Sequence, residues 1–116
     1  MSEPEDLRLD VAAYDRISPA AALEVVRPLC ASPAWMDAMV ARRPLRTIER
    51  AAEISDAVVA ALSWQQVEKA VAADPHLQAA DARASAEAGD DRVVRQLAVR
   101  AALAERAREN VVAALR

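Results

Sequence analysis

Glycine occurs once in this chain of 116 residues, at Gly89. That scarcity restricts the fold more than any other feature. Tight hairpins need positive backbone φ values, which glycine adopts at no steric cost, so a chain without glycine has few ways to turn one strand back on the next. Residues that suit pleated surfaces are scarce as well: there is no phenylalanine, and Thr47 is the only threonine. Alanine, leucine, arginine and glutamate, all strong helix formers, take their place. The sequence therefore predicts an all-α protein. With 54% apolar residues, 116 positions suffice for one core and are too few for two. The expectation is one compact multi-helix domain of about six helices over residues 14–116.

Serine and proline mark where the helices begin. Ser18-Pro19 and Ser32-Pro33 each put a hydroxyl cap before a proline at the first helical position, where the missing N–H costs nothing. Ser63 and Gln66 have the spacing of a capping box. These signals predict helices near 19–29, 33–42, 46–61 and 64–73, with Pro28, Pro44 and Pro75 marking ends or entries. A short alanine-rich helix is expected over 77–88, with Gly89-Asp90-Asp91 as a stop followed by an acidic cap. A long amphipathic helix then runs over 91–115, with Val94, Leu97, Ala101, Ala104, Val111 and Leu115 as its apolar side. Leu7, Leu9 and Val11 alternate with charged residues in a strand-like way. A lone strand has no partner, so residues 1–13 are expected to form an extended N-terminal arm.

Charge and cysteine usage exclude several classes. The net charge is −3, and the arginines of the last segment (Arg92, Arg95, Arg100, Arg106 and Arg108) are interrupted by Glu105 and Glu109. No concentrated basic face for nucleic acid is expected. Cys30 is the only cysteine, so no intramolecular disulfide forms and a reducing cytoplasm is the natural setting. No apolar run approaches the roughly 20 residues that span a bilayer, and the acidic N-terminus is unlike a signal peptide.

Few side chains offer chemistry. With one histidine and one cysteine, a metal site would have to be built mostly from carboxylates, and none is expected. A Ser85, His76, Asp81 triad exists on paper only. His76 follows a proline at a helix junction, where a solvent-facing or capping side chain is the default. It is also the one side chain that titrates near neutrality, and so the candidate general acid or base. Glu87 reads by default as a solvated helix charge. Trp35 and Trp64 read as core anchors, Tyr14 as a packed ring with its hydroxyl at the surface, and Cys30 as a small buried apolar residue.

Taken in order, Tyr14-Asp15, Ile17-Ser18, the helix ending at Cys30, Ser32-Pro33-Ala34-Trp35, Arg43-Pro44-Leu45, Ala60-Ala61-Leu62-Ser63-Trp64 and Ala72-Ala73-Asp74-Pro75 resemble the OHCU decarboxylases. These are the 2-oxo-4-hydroxy-4-carboxy-5-ureidoimidazoline decarboxylases of purine catabolism. The resemblance covers roughly residues 14–77, with a weaker echo at Ser85–Glu87. It implies a helical, commonly homodimeric, cofactor-free lyase fold acting on a small carboxylated substrate. In that family a histidine of a His-Pro-x-Ile-Gly stretch lies beside the leaving carboxylate, and a glutamate of a Ser-x-x-Glu-Gln stretch grips ring and ureido N–H groups. Here the first stretch reads Asp74-Pro75-His76-Leu77-Gln78, so Asp74 stands at the histidine position and Gln78 at the glycine position. The resemblance makes Asp74, His76 and Glu87 the candidate catalytic residues and Pro75, Leu77 and Gln78 the candidate substrate contacts. The family's later Phe-Gly-x-x-Phe segment has no counterpart in a chain without phenylalanine.

Two functions of different class follow. One is a divergent OHCU-decarboxylase-like protein that acts on or binds a small carboxylated molecule through the neighbourhood of Pro75, His76 and Glu87. The other is a non-catalytic helical interaction or dimerisation module that kept the scaffold and lost the site, using the last helix as a surface for a partner.

Overall fold

A computed structural model of the chain describes residues 9–116. Seven helices follow one another among the described residues: α1 (Val11–Arg16), α2 (Pro19–Val26), α3 (Pro33–Ala41), α4 (Ile48–Ala61), α5 (Trp64–Ala72), α6 (Pro75–Ala88) and α7 (Arg92–Leu115). The architecture is all-α, with one helix more than expected. The addition is α1, which replaces the last part of the expected arm. Asp10 caps it by accepting from the Ala13 backbone N–H at 2.9 Å, and Val11 and Tyr14 on its inner face are buried. Val11 therefore belongs to a helical face, Leu9 precedes the cap and packs partly buried against the core, and Leu7 lies outside the described residues.

The starts of the other helices follow from their caps. Ser18, Ser32 and Thr47 accept from the backbone N–H groups of Ala21, Trp35 and Arg50, and Ser63 and Gln66 form the reciprocal capping box. Two starts differ by two residues from expectation: α6 begins at Pro75, not at residue 77, because Asp74 caps it, and α4 at Ile48, not at residue 46, because Thr47 caps it. Gly89 ends α6 with a φ of 59°, a left-handed conformation that only glycine adopts without strain.

The long α7 packs along α4 and α6 and touches α5, while α3 packs against α4 and α2 against α3. Val99, Leu103, Ala107, Val111 and Leu115 are the buried residues of α7. This corrects the expected stripe in its first half. Val94 and Leu97 are 48% and 63% exposed, and Val93 is 65% exposed. A four-residue repeat drifts about 40° per step around a 3.6-residue helix, so the buried line winds around α7 as it passes from one neighbour to the next. Val111 and Leu115 lie on it, but Leu97 does not.

Two buried polar contacts tie the core together. The Trp35 indole N–H donates to the Ser55 hydroxyl at 3.1 Å, and both residues are wholly buried. The Tyr14 hydroxyl does not reach the surface, as the sequence had suggested; it is buried and donates to the Met39 carbonyl at 3.1 Å. Burial pushes this phenol up to about 12, although the nearby Arg43 charge opposes the shift. Arg43 stands 5.4 Å from the centre of the Tyr14 ring and donates to the carbonyls of Tyr14 and Ile17, both at 2.8 Å. In return the Asp15 carboxylate accepts from the Leu45 and Arg46 backbone N–H groups at 2.7 and 2.9 Å. No described helix is long and apolar enough to cross a membrane.

Candidate functional site

Asp74, Pro75, His76, Leu77 and Gln78 lie at the start of α6 and Glu87 at its far end, and the local geometry fixes what each can do. Asp74 is the N-cap: its carboxylate accepts from the His76 backbone N–H at 2.9 Å and pairs with the Arg106 guanidinium from α7. Desolvation alone would raise its pKa. The Arg106 guanidinium and the backbone N–H groups of His76 and Leu77 outweigh that and hold the carboxyl below its ordinary value. Asp74 is therefore an anion at neutral pH, with its oxygens already engaged. Cys30 lies near enough to feel that charge. Burial pushes its thiol up, the Ser32 backbone N–H opposes this, and the Asp74 carboxylate adds to the rise. It is a protonated, buried thiol rather than a nucleophile.

Pro75 occupies the first helical turn and is exposed, as is His76 beside it. Leu77, expected to touch substrate, is 2% exposed and belongs to the core. An apolar side chain is needed there to seat α6, whatever the chemistry. Glu87 is exposed near the far end of the same helix. His76 and Glu87 are eleven residues apart, so they share one face but stand about 16 Å apart along the axis, beyond the span of one small molecule. The structure does not gather them into one hollow.

A different cleft, of about 350 Å3, opens between α5, α6 and α7. Its floor is apolar, from Val71 and Val99, and its rim carries Trp64, Glu68, Gln78, Asp81 and Arg95. Arg95 makes a two-pronged bond with Asp81 at 2.9 and 3.0 Å and stands 5.9 Å from the centre of the Trp64 ring. The Gln78 amide N–H donates to the Ala72 carbonyl at 2.7 Å. Of the residues expected to contact substrate, only Gln78 lines this cleft. Trp64, read as a core anchor, is half-buried at the rim. Sequence reasoning missed Glu68 and Arg95 as site residues, since each looks like an ordinary helix charge and only the packing of three helices brings them together. Among the described residues no three of histidine, cysteine, aspartate and glutamate gather in a way that could hold a metal ion.

Two further arginines of α7, Arg100 and Arg108, are also engaged within the molecule. Arg100 donates to the Val59 and Leu62 carbonyls at the end of α4, at 2.9 and 2.7 Å, and Arg108 pairs with Asp56 at 2.9 Å. Asn110 reaches back to the Leu29 carbonyl at 2.9 Å.

Comparison with known families now decides the ancestry. The model of the family described as OHCU decarboxylase matches residues 15–115. The chain belongs to the OHCU decarboxylase family. No curated protein and no solved structure matches it. At the level of the family, membership supports a decarboxylase-like function in purine catabolism. The match extends past the residues that carried the resemblance and takes in α6 and α7, whose scaffold is retained although the Phe-Gly segment is not.

Proposed function

We propose that this OHCU decarboxylase family member keeps the scaffold without the histidine-dependent decarboxylation, and serves as a non-catalytic helical module. The observation that carries this reading is the state of Asp74. A general acid or base must exchange a proton near the working pH, whereas this carboxyl is held below its ordinary value by Arg106 and two backbone N–H groups. Its oxygens are taken up by Arg106 and the His76 backbone N–H, so the group has no proton to give. His76, as the alternative proton donor, is too far from Glu87 for both to hold one small substrate.

The surface such a module would offer to a second copy is the outer side of α7, where Val93, Val94 and Leu97 are exposed. Internal pairing of Arg95, Arg100, Arg106 and Arg108 supports a partner other than nucleic acid. The lone, buried Cys30 fits a reducing, cytoplasmic setting.

A second reading keeps a small carboxylated ligand and divergent lyase chemistry. It draws on Gln78 and Arg95 in the cleft between α5, α6 and α7, and its ligand would have to win Arg95 from Asp81. The test that separates the readings supplies OHCU, freshly made by urate oxidation and hydrolysis, and follows allantoin formation by circular dichroism. The expected rate equals spontaneous decay. Acceleration that is lost in Asp74→Ala or His76→Ala protein would overturn the non-catalytic reading.

A further inference from the structure

We infer that α6 is a cover whose closure depends on ionic strength. Its ion pairs to α7 hold it beside the apolar floor of the cleft, and screening them lets it lift while the rest of the fold stays closed. This goes beyond the proposed function and does not depend on it. The observation that carries it is the composition of the inner face of α6. Asp74, Leu77, Asp81 and Ala84 follow one another at intervals of three and four residues, so they form a single stripe. Leu77 and Ala84 are the buried residues of the helix. Alternating with them, Asp74 pairs with Arg106 and Asp81 makes its two-pronged bond with Arg95. Charge thus holds half of the stripe. On α4, of the same length, the buried residues are Ala51, Ile54, Ser55, Val58 and Val59, none of them charged. The ion pair of α4 to α7, Asp56 with Arg108, adds to that burial rather than standing in for it.

The two kinds of contact answer salt differently. The four charged side chains that fasten α6 are 21–35% exposed, so dissolved ions reach them. Screening shortens the reach of a charge from about 30 Å at 0.01 M salt to about 3 Å at 1 M, whereas the burial of Leu77 and Ala84 does not depend on charge. The ends of α6 do not hinder its movement. Gly89, with a φ of 59°, follows it, and nothing lies within 4 Å of where a side chain on that glycine would stand. Pro75 and His76 at the other end are exposed. A helix of 14 residues without its neighbours is marginal in water, so α6 unwinds as it lifts. Lifting also widens the cleft floored by Val71 and Val99, because Gln78 and Asp81 of α6 line it.

The test follows amide hydrogen exchange of the full-length protein by NMR at neutral pH, in NaCl at about 0.01 M and about 1 M. Protection of the α6 amides is expected to fall about threefold to fivefold over that range, in keeping with the modest worth of partly exposed pairs. Protection in α4 should stay within a factor of about two, because exchange reports the opening of each region separately. A variant with both Arg95→Gln and Arg106→Gln loses the two pairs. It should show α6 protection lowered about fivefold already at low salt, with no further response to salt. The salt series on the unaltered protein decides the matter even if that variant folds poorly. Three results would each overturn the inference: α6 protection indifferent to salt, α4 and α6 losing protection together, or a folded double variant that still responds to salt as the unaltered protein does.

Discussion

The Asp74 carboxylate accepts from the His76 backbone N–H at the start of α6 and pairs with Arg106 from α7. Its removal therefore takes away a helix cap and an interhelical ion pair together. Asp74→Ala is expected to lower stability by about 1–2 kcal/mol, most of it from the cap, because both charged groups are partly solvated. The pH dependence has a definite sign. The folded carboxyl lies below its ordinary value of 3.8, so the unfolded chain takes up protons first on acidification. The stabilisation is whole above that value and is lost as the pH falls through the folded one. Urea midpoints of the two proteins should therefore differ by a constant amount from neutral pH down to about 5 and converge below about 4. A difference that grows on acidification would contradict the assignment. This residue also shows how its role could have been read in advance. Asp74-Pro75 repeats the cap-then-proline pattern of Ser18-Pro19 and Ser32-Pro33. The same pattern starts α2 and α3, and at residue 74 a carboxylate takes the place of the serine hydroxyl.

Among the elements, α7 shows the limit of reading one helix alone. Periodicity correctly identified an amphipathic helix, and its buried line passes through Val99, Leu103 and Ala107 rather than Leu97 and Ala101. Both lines are apolar, and only the positions of α4 and α6 decide between them. Substitution at each line should separate them clearly. Leu103 is 1% exposed, so Leu103→Ala should cost about 2–5 kcal/mol. Leu97→Ala, at 63% exposure, should stay within about 0.5 kcal/mol in monomeric protein. Denaturant unfolding of both variants measures the contrast. Helices α2 to α5 were legible because their boundaries depend on neighbouring residues, through hydroxyl caps and prolines. The first helix was not, because its short run of residues gave a pattern that a strand would share.

On the scale of the whole molecule, the residues that made the family recognisable turn out to hold the chain together. Tyr14 bonds to Met39, Asp15 to the loop at residues 45 and 46, Arg43 to α1, and Trp35 to Ser55. Such contacts need particular side chains at particular distances along the chain, so they leave a pattern that can be read in sequence. The cleft between α5, α6 and α7 needs only ordinary charges on three separate helices, and nothing local marks them. The distribution of burial adds a dynamic expectation. Helices α4 and α6 each have 14 residues, yet α4 buries five of them and α6 only Leu77 and Ala84. Amides of α6 should therefore exchange with deuterated solvent at least about tenfold faster than those of α4 under native conditions, since regions with few buried apolar contacts open first.

The light seating of α6 also bears on which of its positions can change without loss of the fold. Only Leu77 and Ala84 of α6 are buried, so its exposed positions that make no bond to a neighbouring helix tolerate hydrophilic replacement at little cost in stability. Changes at Trp35 or Tyr14, both wholly buried and hydrogen-bonded, cost far more. Replacements at those exposed positions leave the architecture held by Trp35 and Tyr14 in place, so chemistry carried on the exposed side of α6 can be altered separately from the fold.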